Sequence, residues 1–200
     1  MQFEEARSEV NSVMAAWELE PPHVQQVARL ALQIFDAFSF WHQLPPEDRF
    51  LLEAAGLLHD IGHKISENGK RHHKESARLI REHDWTHITR AQVEIIALLA
   101  RYHRRTPPSL EHEEFVRLED KDRGRVAILA AILRLADSLD RRHLQAVGRV
   151  SFQFSEKDVV CLIESPTHPG PEIAVAKKKG AFLETLLRRP IIYRHLQTPS

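Results

Sequence analysis

Cysteine is nearly absent from this 200-residue chain. Cys161 is the single one, so no internal disulfide can form, which fits a reducing compartment. There are only seven glycines, and no two are separated by a single residue, so no G-x-G phosphate cradle is available. Aromatic residues amount to 7%, and Lys+Arg balances Asp+Glu at 28 each. Lacking a basic excess and aromatic platforms, the chain is disfavoured as a nucleic-acid binder. No apolar run approaches the roughly 20 residues of a membrane-spanning helix. The opening segment MQFEEARSEV lacks the charged-then-apolar pattern of a secretion signal. The expectation from these absences is a soluble cytoplasmic protein with no membrane partner.

What is present is ordinary globular usage, 42% hydrophobic and 28% charged, enough for one domain plus a small appendage. The unusual number is 13 histidines, clustered between His59 and His112. Residues 1–145 read as helices. Glu4 to Trp17 is a modest amphipathic one. EPPHVQQVARLALQIFDAF opens on prolines and carries the stripe Val27, Leu30, Ile34 and Phe38. PPEDRFLLEAAGLLHDIG repeats the pattern, with acidic residues in its first turn and Gly62 as a stop. KISENGKR is a polar loop, HHKESARLIREH a short helix, and TRAQVEIIALLARYH a helix with Thr89 as N-cap. DRGRVAILAAILRLADSLDRRH is strongly apolar.

From about residue 146 the pattern changes. RVSFQFSE alternates, DVVCLIES is a second β-type run, EIAVAKKKGAFLETLLRR reads as a helix, and PIIYRHL as a last strand. The expected fold is therefore mostly α, a helical bundle over 1–145 with a small strand–strand–helix–strand α+β appendage over 146–200. The run Lys177 to Lys179 reads as a solvated helix face.

Metal-competent groups sit where apolar stripes end. His23 shares a face with Val27, Leu30 and Ile34, and His103 continues that of Ile96 and Leu99. Asp137 continues the face of Val126, Ala130 and Leu133, while His59 and Asp60 terminate an apolar helix. A buried carboxylate without a partner costs several kcal/mol, on the order of a whole salt bridge lost. Asp60 and Asp137 therefore need an ion pair (Arg134 or Arg141), a hydrogen bond to backbone, or a divalent cation. Mixed imidazole and carboxylate donors suit Mn, Fe, Co or Ni, and suit Mg less well.

At these residues the chain resembles the HD superfamily of metal-dependent phosphohydrolases, through LLHDIGH and LRLADSLDR. More closely, HVQQVARLALQIFD, PEDRFLLEAAGLLHDIG, HHKESARLI, IALLARYHRR and AAILRLADSLDRRH are similar to the C-terminal HD-type region of the exopolyphosphatase / guanosine pentaphosphatase family. The resemblance implies an HD-type bundle and one or two divalent ions. His23, His59, Asp60 and Asp137 would be ligands of the first. His72 (with His73 as rival) and His103 would hold a second, with Asp60 shared. Glu75 stands where relatives often carry another His.

The ion would make water nucleophilic and polarise a phosphoryl oxygen. His63 and Lys64, in the loop after the His-Asp pair, either approach a substrate phosphate with Asp60 or are simply exposed. Lys64, Lys74, Arg104 and Arg141 are the first candidates to bind substrate anions, with Lys70, Arg71, Arg101 and Arg105 behind them. His83, His87 and His112 read as surface residues. In that family, hydrolysis of polyphosphate or pppGpp is assigned to actin-like domains with glycine-rich phosphate loops, which this sequence does not show. The expectation is a stand-alone phosphohydrolase for a nucleotide or another phosphate ester. The alternatives are a regulatory module that binds nucleotide or polyphosphate without turnover, and a purely structural dimerisation domain; a homodimer stays open in each case.

Overall fold

Prolines open the two helices that frame the bundle. A first-turn proline leaves no N–H unpaired and already has helical φ. The computed structural model describes residues 3–199, so residues 1, 2 and 200, the outer ends of the two expected units, lie outside the described residues. After α1 (Glu4–Trp17) come the proline-led α2 (Pro21–Ala37), a single turn α3 (Ser39–His42), and the proline-led α4 (Pro46–Leu58). A Cβ on Gly56 of α4 would lie 2.8 Å from the Ala28 Cα of α2, so the missing side chain is what lets these helices touch. Val24, Val27, Leu30 and Ile34 of α2 and Leu51, Leu52, Ala55 and Leu58 of α4 are buried. Each fully buried aliphatic side chain of this size contributes about 1.5–3 kcal/mol.

Two 3-10 turns, Ile61–Lys64 and Glu67–Gly69, lead into α5 (His72–Glu82) and α6 (Arg90–Tyr102). These turns lie in and just before the stretch expected to be loop. α6 begins with a capping box: Thr89 accepts from the Gln92 N–H and the Gln92 side chain accepts from the Thr89 N–H. Thr89→Ala should therefore cost about 1 kcal/mol, seen as a lower urea midpoint with unchanged slope. The short α7 (Glu113–Val116) precedes α8 (Asp120–Ser138). From Leu129 to Ala136 α8 is buried on every side, which makes it the central helix, packed on α2, α4 and α6.

In the C-terminal part, β1 (Arg149–Phe154) pairs antiparallel with β2 (Val159–Ser165), with Phe152 opposite Cys161. β2 pairs parallel with β3 (Ile191–Gln197), with Cys161 opposite Tyr193. A parallel neighbour requires a crossover. It is made by α9 (Gly170–Lys179) and α10 (Ala181–Leu187), where one helix was expected. The break falls at Gly180, where a Cβ would meet the Tyr193 hydroxyl at 2.2 Å. That hydroxyl donates to the Ala176 carbonyl at 3.1 Å, so the helix bends around it. Gln26 and Gln33 of α2 tie the bundle to this part, through the Val147 carbonyl (2.7 Å) and the Val150 N–H (2.9 Å).

Candidate metal centre

The apolar body of α4 delivers its end into the interior, so His59 is fully buried and Asp60 nearly so. Just past the helix end, Gly62 donates its N–H to Ser76 Oγ of α5 at 2.9 Å. α5 sits directly on Gly62, and that contact carries His72 to Asp60.

Four imidazoles are then fixed in the same way. Nδ1 of His59 faces the Gly56 carbonyl (2.8 Å), Nδ1 of His72 the Gly69 carbonyl (2.7 Å), and Nδ1 of His103 the Ala100 carbonyl (2.7 Å). A carbonyl only accepts, so each Nδ1 carries the proton and each Nε2 of the neutral ring keeps its lone pair. His23 does the same through Asp140 Oδ2 at 2.9 Å. Orienting partners of this kind are what metal-ligating histidines use.

The Nε2 atoms converge on Asp60. His72 Nε2 lies 3.1 Å and His103 Nε2 3.5 Å from Oδ1, and the two nitrogens are 3.3 Å apart. Three lone pairs thus face one another. The centre of that triangle is about 2 Å from each atom, close to a first-row metal–nitrogen bond of about 2.0–2.1 Å. On the other carboxylate oxygen, His59 Nε2 stands at 3.5 Å and His23 Nε2 at 3.9 Å, the latter also 3.7 Å from Asp137 Oδ1. The ligand atoms form two triads that share Asp60, His23/His59/Asp60 and Asp60/His72/His103. His23 Nε2, His59 Nε2 and Asp60 Oδ1 are buried without a hydrogen-bond partner. Each such orphan costs about 1–3 kcal/mol, and a divalent cation of the Mn, Fe, Co or Ni type fits the donor set.

The electrostatics agree with that fit. Burial would raise the Asp60 carboxyl, and positive charge at His59, His72 and His103 would hold it well below the usual carboxylate range, a charge that a bound cation supplies when those rings are neutral. Burial, with His59 beside it, pushes His103 well down, toward the neutral ligand form. Burial would also raise Asp137, but the Lys179 ammonium, then His103 and His59, keep it below its ordinary value.

A cavity of about 460 Å³ opens over the cluster, lined by Asp60, His63, His72, His103, Asp137 and His143, by Arg104, Arg105, Arg141 and Lys179, and by Val175. His63 stacks on His72 with ring centres 3.7 Å apart, 3.9 Å from Asp60 Oδ2. Arg104 Nη1 lies 3.1 Å from both ring nitrogens of His72. Lys64 is not brought here. Its ammonium donates to the Ala16 carbonyl at 2.7 Å and lies over the Trp17 ring, because the 3-10 turn points it back at α1. Lys74 is exposed on α5, outside the cavity lining, as are Lys70 and Arg71.

His73 belongs to neither triad; burial, with Arg101 next, pushes it down to about 3. Of the two rivals, His72 is the one whose Nε2 lies beside Asp60, at 3.1 Å. Glu75 is paired with Arg78 at 2.9 Å. His83 and His87 are exposed, whereas His112 is half-buried and stacks on Tyr102. Arg134 does not serve as counter-ion to Asp60 or Asp137: it donates to the Tyr102 (2.7 Å) and Arg105 (2.8 Å) carbonyls and holds the end of α6.

Three site residues escaped the sequence reading. Asp140 lies one turn after Asp137, and that i, i+3 spacing was a usable signal. Lys179 shares a face with Glu172, Val175 and Ala176, a stripe hidden inside a lysine run. His143 stacks on His23 with centres 3.7 Å apart, from a non-helical turn with φ 56° that no periodicity marks. Asp140 also accepts the Gln145 N–H at 2.7 Å, closing the turn that carries His143. Asp140→Ala should weaken Mn binding by about 10–100-fold, measured by calorimetric titration; unchanged affinity would remove Asp140 from the site.

Comparison with known proteins gives the lineage. The family described as Ppx/GppA phosphatase, domain III, matches residues 6–168. A guanosine-5'-triphosphate,3'-diphosphate pyrophosphatase of Photobacterium profundum is 30% identical over 133 residues, covering 66% of this chain and 25% of that protein. The protein of the same name from Vibrio vulnificus is 31% identical over 134 residues, 66% of this chain and 26% of its own. The chain thus spans about a quarter of the length of the curated relatives it matches. With four-fifths of its residues inside the family match, and the helices that carry His23, His59, His103 and Asp137 among them, this chain belongs to the Ppx/GppA phosphatase domain III family.

Proposed function

We propose that this chain is a metal-dependent phosphohydrolase of HD type, acting on a nucleotide, polyphosphate or another phosphate ester. One observation carries the reading: buried, partnerless lone pairs of His23, His59 and Asp60 sit beneath a cavity rimmed by four cations. His23, His59, Asp60 and Asp137 would hold one divalent ion, and His72 and His103 with Asp60 a second. When bound, such an ion supplies Lewis acidity and a lowered pKa for water. The chain's own groups do the rest. Arg104, Arg105 and Arg141 draw in and orient phosphoryl oxygens. Nδ1 donation to Gly56, Gly69, Ala100 and Asp140 keeps the imidazoles from turning. His63, half-exposed at the cavity, would pass a proton to the leaving oxygen.

The test is phosphate release from a panel of nucleotides, short polyphosphate and p-nitrophenyl phosphate, with Mn, Co, Ni or Mg added and metal content measured. Metal-dependent release is expected. Protein that takes up no metal under supplementation ends this reading. A second reading, a non-catalytic module that binds metal and phosphate, has one observation in its favour. The chain matches only about a quarter of the pyrophosphatases to which it is similar. Tight Mn and phosphate binding without release would select it.

A further inference from the structure

We propose that Lys179 is a hand-over cation: it neutralises Asp137 in the metal-free protein and moves to a phosphoryl oxygen of the ligand when a divalent ion takes that carboxylate. The inference rests on the metal-centre reading and adds to it a residue from the C-terminal part of the chain.

Lys179 is held differently from its neighbours. Lys177 and Lys178 are exposed, while Lys179 is partly buried and its ammonium contacts Asp137 Oδ2. The backbone under it is fixed at both ends of α9. At the start, the buried Glu172 takes a fork from Arg142, at 2.9 and 3.1 Å. At the end, Tyr193 fills the space beside Gly180 and donates to Ala176. Glu172, Val175, Ala176 and Lys179 lie on one face of α9, and α9 packs on α8. Only the lysine's own side-chain torsions are left to move.

Asp137 divides its two oxygens between two demands. Oδ2 serves Lys179, while Oδ1 lies 3.7 Å from the partnerless His23 Nε2. A divalent ion on Asp137 and an ammonium on the same carboxylate repel each other at short range, in surroundings less screening than water. The flexible four-carbon stem allows the ammonium to leave. The space open to it is the cavity, already lined by Arg104, Arg105 and Arg141. A fourth cation there, released from its carboxylate, is unbalanced until an anion enters. Metal and phosphate binding are therefore coupled through this one side chain, and linkage requires that each strengthens the other equally.

The experiment compares wild type, Lys179→Met and, as a control on the exposed face, Lys178→Met. Mn affinity is measured by electron paramagnetic resonance with and without inorganic phosphate, and phosphate affinity by titration of the Mn-loaded protein. Circular dichroism melts establish folding. Lys179→Met should bind Mn roughly tenfold more tightly without phosphate, bind phosphate roughly tenfold more weakly, and lose the coupling between them. Lys178→Met should match wild type. Should Lys179→Met fail to fold, Lys179→Gln takes its place, because its amide can still bond Asp137 without the charge. A folded variant with wild-type Mn and phosphate affinities overturns the proposal and makes the Lys179–Asp137 pair structural. Tighter Mn binding with unchanged phosphate binding overturns the hand-over. Wild type that binds no Mn overturns the metal centre itself, a distinct result.

Discussion

Asp60→Asn is expected to eliminate metal binding from both triads at once. Asp60 is the one residue common to the two, and asparagine keeps its shape while removing the charge that five imidazole nitrogens surround. Loss of a residue that merely orients a ligand costs about 10–100-fold in affinity or activity, so loss of a shared ligand should cost more than that. Thermal stability reads the effect without any substrate. At Mn concentrations about 100 times Kd the wild type gains about 2.7 kcal/mol. In a chain of this size that raises Tm by roughly 5–10 °C. Asp60→Asn should show no Mn-induced rise, each protein being referenced to its own metal-free melt. Metal-dependent phosphate release should fall with it. An equal Mn-induced shift in the two proteins would remove Asp60 from the centre.

Gly62→Ala is the second large effect, and it acts by crowding. A Cβ at position 62 would stand 2.3 Å from the His72 carbonyl oxygen, 2.4 Å from the Ser76 nitrogen and 2.8 Å from Glu75 Cβ. Two of these are backbone atoms of the first turns of α5, which cannot give way singly. Either α5 moves off or the His59-Asp60 turn is deformed. Overpacking of this kind costs about 1–3 kcal/mol and occasionally more, a fall in Tm of roughly 2–12 °C here. The functional consequence is selective. Where α5 is what moves, His72 rides away with it and the Asp60/His72/His103 triad is lost, while His23 and His59 stay on α2 and α4. Mn stoichiometry should drop and the melt should shift together. Wild-type stability and stoichiometry in the variant would show that the contact is not limiting.

The helices were legible because their signals are local. Proline entrances, Thr89 with Gln92, and the 3.6-residue stripes of α2, α4, α6 and α8 lie within a few turns of chain. The stripes also marked His23, His59, Asp60, His103 and Asp137 as polar groups heading into a core. Positions governed by non-local contact were not legible. One helix was expected over residues 172–189, yet Tyr193, from a strand beyond it, bends the chain at Gly180. Lys64 looked suited to a phosphate, being four residues from Asp60, but a 3-10 turn reverses its direction toward Ala16.

By itself, then, the sequence determined a mostly helical chain with a three-strand tail, and a set of imidazoles and carboxylates at the ends of apolar stripes. Burial of an apolar face is a property that one helix announces through its own spacing. Which polar groups meet is settled by how the helices cross. Only the tertiary structure set His72 rather than His73 beside Asp60, gave Asp140 to His23, turned Arg134 to backbone carbonyls, and brought Lys179 from the C-terminal part onto Asp137. The reason is range: side-chain periodicity repeats every few residues, whereas these contacts join positions 12 to 117 residues apart and depend on close approaches such as that at Gly62.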